Sequence, residues 1–476
     1  MRRGAAALMY TLLLAGGCGD QDKEMAVDPI GGGQDFVTDT GARIGLTANI
    51  ETAGVIIEGA SVSPQMTLHH RLAGIQAWRD NPALTALRDG RLAGSLFGLA
   101  PGRFHEAQLR DPQGKPVWTD TFKTLPVEPE HSAKGILHVD ASAEPGGDGG
   151  PFAPMTTIAE ALALAPPGTD IKVRAGVYRE ELVITSKGEE GRYIRILGEP
   201  GAILDGADPS ALVGELAWQP EGAGVYSVAW SNPVHYLRRD GLRAYQYASV
   251  SELKDGKHEV AEGWAREDGR LWVRTWEHPS SYIWRIPALT AAIRVVETQW
   301  IWIEGLEIRD YGAGEFPKGI DLQTARDVVI RNNHIHGTPS PIWARDSSAR
   351  VRIESNRVDQ MGTEAWPTVV VQGTDNDDIG IHIEDVSGCI VRDNDVRSVA
   401  SGIVTAGFET LGKPGVAVDV DVYSNRLADI AVDGLEPEGE CINHRFRGNT
   451  VDGAHNGISL QPIGTGPVWL LRNRIA

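Results

Sequence analysis

Three carboxylates fall within six residues in the segment VDGLEPEGE, residues 432–440. Asp433, Glu436 and Glu438 would lie together on one strand, where neighbouring carboxylates repel each other unless they share a proton or a cation. They could therefore form a calcium site, because Ca²⁺ prefers oxygen ligands. Alternatively, Glu436 and Glu438 could act as a general acid/base pair, because a carboxyl that keeps its proton near neutral pH can donate it.

Further polar residues emerge when pairs of Gly and an aliphatic residue are aligned. Such pairs stand at 319–320, 380–381, 402–403, 434–435 and 457–458, and Pro341-Ile342 is equivalent. Each pair would begin a strand, and alternate residues after it should face solvent. The predicted outward set is Asp321, Gln323, Trp343, Arg345, His382, Glu384, Val404, Ala406, Glu436, Glu438, Ser459 and Gln461.

The central ionisable members of this outward set are the candidate catalytic residues: His382, Glu384, Glu436, Glu438 and Arg345. The candidate substrate-binding residues are Asp321, Gln323, Trp343 and Gln461. The small Val404 and Ala406 would form the floor of a shallow cleft. Because solvent-facing strand positions are usually polar, a stripe without function remains the alternative.

Two reactions suit these residues. For β-elimination from a uronate, Arg345 or a cation would neutralise the carboxylate, and His382 would remove the adjacent proton. Lys413, in the loop after Val404, could assist. For hydrolysis, Glu436 and Glu438 fit the shorter of the two carboxyl separations that glycosidases use.

A second acidic segment, GTDNDDIG at residues 373–380, precedes one of the aligned strands. It places Asp375, Asp377 and Asp378 in a long insertion, where they could chelate a cation.

A recurring Asn indicates the element that must position these residues. It stands at Asn333, Asn356, Asn394, Asn425, Asn449 and Asn473, with intervals of 23, 38, 31, 24 and 24 residues. An apolar residue lies three positions before and two positions after each Asn, and Gly305 would fill the same place one repeat earlier. Asn and Gly tolerate a left-handed turn, and stacked Asn amides can bond to one another. Such a period predicts a solenoid of stacked strands, whereas a β-propeller needs repeats of about forty residues.

Other segments surround this repeat. Residues 156–165 predict a short amphipathic helix that covers the open end of the solenoid. Residues 207–287 interrupt the repeat and contain six Trp, at 218, 230, 264, 272, 276 and 284. We interpret this stretch as an inserted β-subdomain whose Trp residues form its own core, with a sugar-stacking platform as the alternative.

Three parts of the chain resemble known families. Residues 135–184, from GILHVDAS to ELVI, resemble the opening of right-handed parallel β-helix proteins of the pectate-lyase-like superfamily. The segments DGLEPEG, NHRFRGN and NGISLQP resemble a recurrent part of bacterial proteins of that fold. Residues 95–124 resemble the closing half of a fibronectin type III domain, with a Leu-x-Pro-Gly turn before Phe104. The resemblance implies an all-β chain with a right-handed parallel β-helix and an N-terminal capping helix, preceded by a small β-sandwich.

The N-terminus resembles a bacterial lipoprotein signal. Met1-Arg2-Arg3 precedes a short apolar run and then Gly16-Gly17-Cys18, so Cys18 is the candidate lipidation site. The predicted organisation is a signal peptide at 1–18, a tether at 19–34, a fibronectin type III-like sandwich at 35–125 and the β-helix at 133–476. We therefore expect export, with a lipid anchor in the outer membrane or at the cell surface, or secretion.

The composition limits the classes of partner that the protein can bind. Lys and Arg total 45 against 64 Asp and Glu, a net charge of −19, which argues against nucleic-acid binding. Cys389 and Cys441 should be buried thiols, about two coils and thus roughly 10 Å apart. The sequence stops in mid-coil at Ala476, so a longer natural chain or a covering partner is expected.

Two functional hypotheses follow. The protein is a monomeric lyase-like or hydrolase-like enzyme acting on a polysaccharide, which could contain uronates, with Ca²⁺ as the one candidate cofactor. Alternatively, it is a non-catalytic lipoprotein that binds glycan or serves as a structural surface.

Overall fold

The structure is a computed structural model that describes residues 33–38, 41–59, 63–212, 214, 216–360, 366, 368–408, 415–460 and 462–476. The predicted signal peptide with Cys18, residues 19–32 of the tether, Lys413 and Gln461 lie outside the described residues. None of the helices in these ranges is long and apolar enough to cross a bilayer.

Nine strands near the N-terminus form a β-sandwich. They are β1 (Gln34–Val37), β2 (Arg43–Ala48), β3 (Thr52–Glu58), β4 (Thr67–Leu72), β5 (Arg79–Asp80), β6 (Thr85–Ala86), β7 (Leu92–Phe97), β8 (Phe104–Arg110) and β9 (Pro116–Lys123). The antiparallel sheets β1-β2-β3-β7-β6 and β5-β4-β8-β9 enclose a core that includes Ile44, Leu96 and Phe122. The sandwich is confirmed, whereas its fibronectin type III identity stays a prediction.

The β-helix opens with a helix among short strands. These elements are β10 (Gly135–Val139), α1 (Ile158–Leu164), β11 (Thr169–Val173), β12 (Gly176–Tyr178), β13 (Leu182–Ile184), β14 (Ile194–Gly198) and β15 (Ala202–Asp205). Thr157 and Glu160 form a capping box at the start of α1. Ile158, Ala161 and Leu162 pack into the solenoid core, and α1 contacts β10, β11 and β13. The predicted amphipathic helix is therefore confirmed.

The inserted subdomain consists of two small antiparallel sheets. Its elements are α2 (Pro209–Leu212), β16 (Gln219–Gly222), β17 (Val225–Ala229), β18 (Arg238–Arg239), β19 (Leu242–Arg243), α3 (Val250–Asp255), β20 (Gly263–Glu267), β21 (Arg270–Arg274) and β22 (Trp284–Arg285), with 3-10 turns at Lys257–Glu259 and Pro279–Ser281. The sheets are β16-β17-β21-β20 and β19-β18-β22. Trp218, Trp264 and Trp284 are buried, while Trp276 is 77% exposed. The interpretation of the Trp residues as a local core is thus correct for most of them.

The remaining elements continue the solenoid to the C-terminus. They are β23 (Ala291–Val296), β24 (Gln299–Glu304), β25 (Glu307–Arg309), β26 (Lys318–Gln323), β27 (Arg326–Arg331), β28 (His334–His336), β29 (Ile342–Arg345), β30 (Arg352–Glu354), β31 (Arg357–Asp359), α4 (Thr368–Val371), β32 (Ile379–Glu384), β33 (Ile390–Arg392), β34 (Asp395–Arg397), β35 (Ser401–Gly407), β36 (Ala417–Val418), β37 (Asp421–Tyr423), β38 (Arg426–Gly439), β39 (Cys441–Ile442), β40 (His444–Arg447), β41 (Thr450–Ile458), β42 (Val468–Leu471) and β43 (Arg474–Ile475).

Parallel pairing of these strands builds three faces around one apolar core. The first face is β10-β11-β14-β24-β27-β30-β33-β37-β40-β42, and the second is β12-β15-β25-β28-β31-β34. The third face is β13-β23-β26-β29-β32-β35, and the long strand β38 pairs with both β34 and β35. The predicted parallel β-helix is confirmed, and Cys389 and Cys441 are buried as predicted.

The recurring Asn residues form a continuous ladder. Asn333 Nδ2 donates to Asn356 Oδ1 at 3.1 Å, and the same bond repeats at each step to Asn473. The left-handed conformation lies one residue earlier than expected, at Asn332, for example, with a φ of 55°. The placement of Gly305 was wrong by one residue: Leu306 occupies the Asn position, and its N–H donates to Asn333 Oδ1.

The sandwich docks on the first face. Asn49 Nδ2 donates to Asp421 Oδ2 at 3.1 Å, and Arg445 Nη1 donates to Ser95 Oγ at 3.1 Å. Phe97 packs edge-on against Trp469, with ring centroids 5.7 Å apart. These contacts involve none of the third-face strands, which carry the predicted outward set.

Candidate active site

The predicted outward residues line up in two columns on the third face. Across β26, β29, β32, β35 and β38 the first column is Asp321, Trp343, His382, Val404 and Glu436. The second is Gln323, Arg345, Glu384, Ala406 and Glu438. Alternation along each strand causes this arrangement, because Ile320, Ile342, Ile381, Ile403 and Leu435 point into the core. The register predicted from the Gly-aliphatic pairs is confirmed.

Trp343 is the centre of the first group of candidate residues. We call this group the Trp343 cluster, and its members are Lys318, Asp321, Trp343, Arg345, His382 and Glu384. The His382 ring stacks on the indole at a centroid distance of 4.9 Å and 12° between planes. Lys318 Nζ lies 4.3 Å from the indole centroid. Trp343 Nε1 donates to Glu384 Oε2 at 3.1 Å. The indole therefore links strands β26, β29 and β32.

Arg345 is already neutralised within this cluster. Its Nε donates to Asp321 Oδ1 at 3.0 Å and its Nη2 to Asp321 Oδ2 at 3.2 Å. Gln323 Nε2 also donates to Asp321, at 2.7 Å. A bidentate pair of this kind is strong and directional. Asp321 is only 3% exposed, so it positions Arg345 rather than presenting a free carboxylate.

His382 and Glu384 have opposite and unusual protonation. Burial, with Lys318 and Arg345 nearby, lowers the pKa of His382 to about 3. Burial and the charge of Asp385 raise the pKa of Glu384 to about 7. Their closest atoms are 3.8 Å apart, but the lowered pKa of His382 keeps its ring uncharged at neutral pH, so they do not form an ion pair. Its low pKa makes His382 a weak base.

Lys318 was not placed in the site from the sequence. Burial lowers the pKa of its ammonium to about 8, although Asp321 and Glu384 act in the opposite direction. Within the described residues Lys318 forms no ion pair shorter than 4 Å. It directly precedes Gly319-Ile320, and this position at the start of a strand was the signal that could have identified it.

A rung of small side chains separates the Trp343 cluster from the second group. Val404 and Ala406 point outward but are 3% and 0% exposed. These small side chains are covered by their neighbours, so the cleft floor predicted for this rung stays a prediction.

The second group, the acid cluster, comprises Asp377, Asp433, Glu436 and Glu438. Burial and then the charges of Asp433 and Glu438 raise the pKa of Glu436 to about 8. Burial and Asp433 also raise the pKa of Glu438. Burial raises the pKa of Asp377 to about 6, with Asp378 and Asp433 adding to it. Asp433 itself accepts a hydrogen bond from Asn456 Nδ2 at 2.8 Å. Glu436 is therefore protonated at neutral pH.

The insertion before β32 holds the other predicted acids in different roles. Asp378 pairs with Arg243 of the subdomain at 2.7 Å and accepts from the Ala400 N–H at 3.1 Å. Asp377 accepts from the Gly373 N–H at 2.7 Å, and Asp375 accepts from Gln246 Nε2 at 3.2 Å. In the part of the chain that is described, no three His, Cys, Asp or Glu side chains are placed to hold a metal ion. The calcium role of Asp433, Glu436 and Glu438 stays a prediction.

The two groups share one face but do not converge. His382 and Glu436 are on β32 and β38, with β35 between them, so their backbones are about 9.6 Å apart. Two neighbouring centres with different charge states therefore line the third face, one cationic and aromatic, the other acidic and partly protonated.

Comparison with known proteins supports the fold. The family described as "Right handed beta helix region" matches residues 291–465, the range that contains β26 to β38. No curated protein matches the chain. Among solved structures, XylC in complex with xylose has a TM-score of 0.41 and 15% identity, covering 68% of this chain and 64% of that chain. An alginate lyase from Paenibacillus sp. str. FPU-7 has a TM-score of 0.31 and 13% identity, covering 67% and 95%. A GH87 α-1,3-glucanase catalytic domain in complex with tetrasaccharides has a TM-score of 0.36 and 11% identity, covering 89% and 69%. The chain spans less than two thirds of XylC. The family match and the parallel strand pairing together establish that the solenoid is a right-handed parallel β-helix.

Proposed function

We propose that this protein is an exported glycoside hydrolase that cleaves a polysaccharide bound along the third face. The observation that carries the proposal is the placement of Glu436 and Glu438 two residues apart on β38, where burial and neighbouring carboxylates raise the pKa of Glu436 to about 8. A glycosidase needs one carboxyl that holds a proton and a second that supplies negative charge.

Glu436 would donate its proton to the glycosidic oxygen of the leaving group. Glu438 would attack the anomeric carbon as a carboxylate, and water activated by deprotonated Glu436 would then release the sugar. Residues two apart on a strand have Cα atoms about 6.6 Å apart. Their side chains can approach the roughly 5 Å separation of retaining enzymes.

The shape of the third face suits a polymer. Its outward columns cross five strands, which spans roughly 19 Å. Trp343, near one end, is already stacked on His382 and contacted by Lys318, so these three residues would meet a glycan as one unit. Asp433 would act as a positioning charge that keeps the proton on Glu436.

The test is a screen of the purified chain on plant, algal and bacterial polysaccharides for new reducing ends. Glu436→Gln and Glu438→Gln should each lower kcat/KM by at least a hundredfold. Glu440→Gln, which changes the next carboxylate along the chain, is the matched control and should keep full activity. Retention of anomeric configuration, followed by proton NMR, would support Glu438 as nucleophile. Inversion, or full activity of Glu436→Gln, would contradict the mechanism.

An eliminative mechanism is the second candidate, favoured by Lys318. Its pKa of about 8 is low enough for a lysine to act as a base near neutral pH. The product would absorb at about 235 nm, and Lys318→Met would abolish that absorbance while Glu436→Gln would not. If no glycan is cleaved but one is retained on the protein, the non-catalytic binder is the correct alternative.

Export on a lipid anchor is part of the proposal and rests on residues 1–18 alone. Mass spectrometry of the membrane fraction should find a diacylated Cys18, and Cys18→Ser should release the protein in soluble form.

A further inference from the structure

A cavity of about 420 Å³ lies in the inserted subdomain, beside the insertion that carries Asp377. Arg239, Arg243, Arg274, Glu262, Tyr245 and Trp366 are among its lining residues. Its volume falls in the range of small-molecule sites, roughly 300–1,000 Å³. None of its lining residues belongs to the Trp343 cluster or the acid cluster.

The cavity carries an excess of positive charge. Arg239 pairs with Glu262, and Arg243 pairs with Asp378 at 2.7 Å. Arg274 donates to the Leu253 carbonyl at 3.3 Å and, among the described residues, forms no ion pair with a carboxylate. Arg239 Nε is buried without a hydrogen bond, and the Asp240 carboxylate lies 3.9 Å from it. The unpaired Arg274 guanidinium, in a cavity lined by three Arg and one Glu, indicates a place for an anion.

Aromatic rings complete the wall. Trp366 meets Tyr245 edge-on at a centroid distance of 5.3 Å, and the guanidinium of Arg243 lies 5.6 Å from its ring centroid. Trp366 is half-buried, so part of its surface remains open to a ligand. A flat ring beside guanidinium groups suits a ligand with one apolar face and one acidic group.

We propose that this cavity binds an acidic sugar, a pyranose that carries a carboxylate or a sulfate. Arg274 would hold the acidic group through two N–H donors, and Trp366 would cover the apolar face of the ring. The cavity is connected to the acid cluster through Arg243, which lines it and contacts Asp378, the residue next to Asp377 in the chain. This role rests on the proposed function, because the cavity would bind part of the polymer that is hydrolysed. The substrate would then be an anionic glycan.

The test measures binding by calorimetry to the full chain carrying Glu436→Gln, which prevents turnover. The probes are trigalacturonate, a sulfated galactan trisaccharide and the neutral galactan trisaccharide. We expect at least one acidic probe to bind at least tenfold more tightly than the neutral one. The preferred acidic probe identifies the carboxylate or the sulfate as the recognised group.

Four variants locate the binding. Arg274→Gln and Trp366→Ala should each weaken binding of the acidic probe at least tenfold. Arg274→Lys keeps the positive charge but loses the paired N–H donors of the guanidinium, so it should weaken binding less. Lys254→Gln removes an exposed charge of the same subdomain outside the cavity and should change nothing. Equal binding of all three probes, no binding of either acidic probe, or full binding by folded Arg274→Gln and Trp366→Ala would overturn the inference.

The outcomes also separate this inference from the proposed hydrolysis. If Arg274→Gln weakens acidic probes but Glu436→Gln keeps full activity, the cavity stands and the mechanism fails. If Glu436→Gln is inactive but Arg274→Gln binds every probe normally, the mechanism stands and the cavity assignment fails.

Discussion

Replacement of Asp433 by Asn tests the electrostatic reasoning most directly. The change removes one negative charge next to Glu436 and leaves a side-chain oxygen that can still accept from Asn456. Because a neighbouring negative charge favours the protonated carboxyl, its removal should lower the pKa of Glu436. Burial, the larger cause of the raised pKa, remains in the variant.

The size of the shift follows from Coulomb's law. Two charges roughly 6–8 Å apart interact by about 2–3 kcal/mol at an effective dielectric constant of 20. One pKa unit corresponds to about 1.36 kcal/mol, so the pKa of Glu436 should fall by about 1.5–2 units. Starting from about 8, it should reach about 6–6.5 in Asp433→Asn.

The assay is the pH dependence of kcat/KM between pH 5 and 10. Its alkaline limb reports loss of the proton from the general acid in the free enzyme. We expect that limb near pH 8 in the natural protein and about 1.5–2 units lower in Asp433→Asn, with little change at pH 5.5. Asp452→Asn, an exposed carboxylate on β41, is the control.

Unfolding gives a second measurement that needs no substrate. The folded pKa of Glu436 exceeds its unfolded value, so its contribution lowers the free energy of unfolding as pH rises from about 4.5 to 8. Asp433→Asn should narrow that pH range. Between pH 4.5 and 8.5, its free energy of unfolding should therefore fall by about 2 kcal/mol less than that of the natural protein. An unmoved alkaline limb, or inactivity of Asp433→Asn at every pH, would refute the positioning role.

Three further predictions concern the ladder, the Trp343 cluster and the metal. Asn394→Ala should lower the free energy of unfolding, measured in urea, by about 3–5 kcal/mol, because it leaves the buried Asn356 N–H and the Ile353 carbonyl without their hydrogen-bond partner. Asn473→Ala, at the end of the ladder, should lower the free energy of unfolding by less. His382→Ala should change kcat less than tenfold and leave both limbs of the pH profile in place, since a group whose pKa is about 3 is not a base at neutral pH; loss of the acid limb would contradict this. EDTA should leave activity and melting temperature unchanged if the acids share protons, whereas loss restored by Ca²⁺ would establish the calcium site.

The sequence was sufficient for the parts of the fold that depend on periodicity. The Asn ladder and the alternation after each Gly-aliphatic pair are local, and a parallel stack turns local alternation into columns. The charge state of the columns was not predictable. His382 was a plausible base by residue type, but burial beside Lys318 removes its basicity, and burial depends on contacts between separate coils.

The irregular intervals in the Asn repeat indicate where the third face acquires chemistry. A regular coil takes 23 or 24 residues, but the steps to Asn394 and Asn425 take 38 and 31. The first of these insertions carries Trp366 and Asp378, which contact the subdomain, and Asp377 of the acid cluster. Uniform coils place neighbouring strands about 4.8 Å apart in a rigid, flat face. Such a face holds side chains in position but does not enclose a ligand. Enclosure must come from insertions, so shortening the 361–378 segment to the regular interval should abolish glycan binding while leaving the ladder, and the far-UV spectrum of the solenoid, intact.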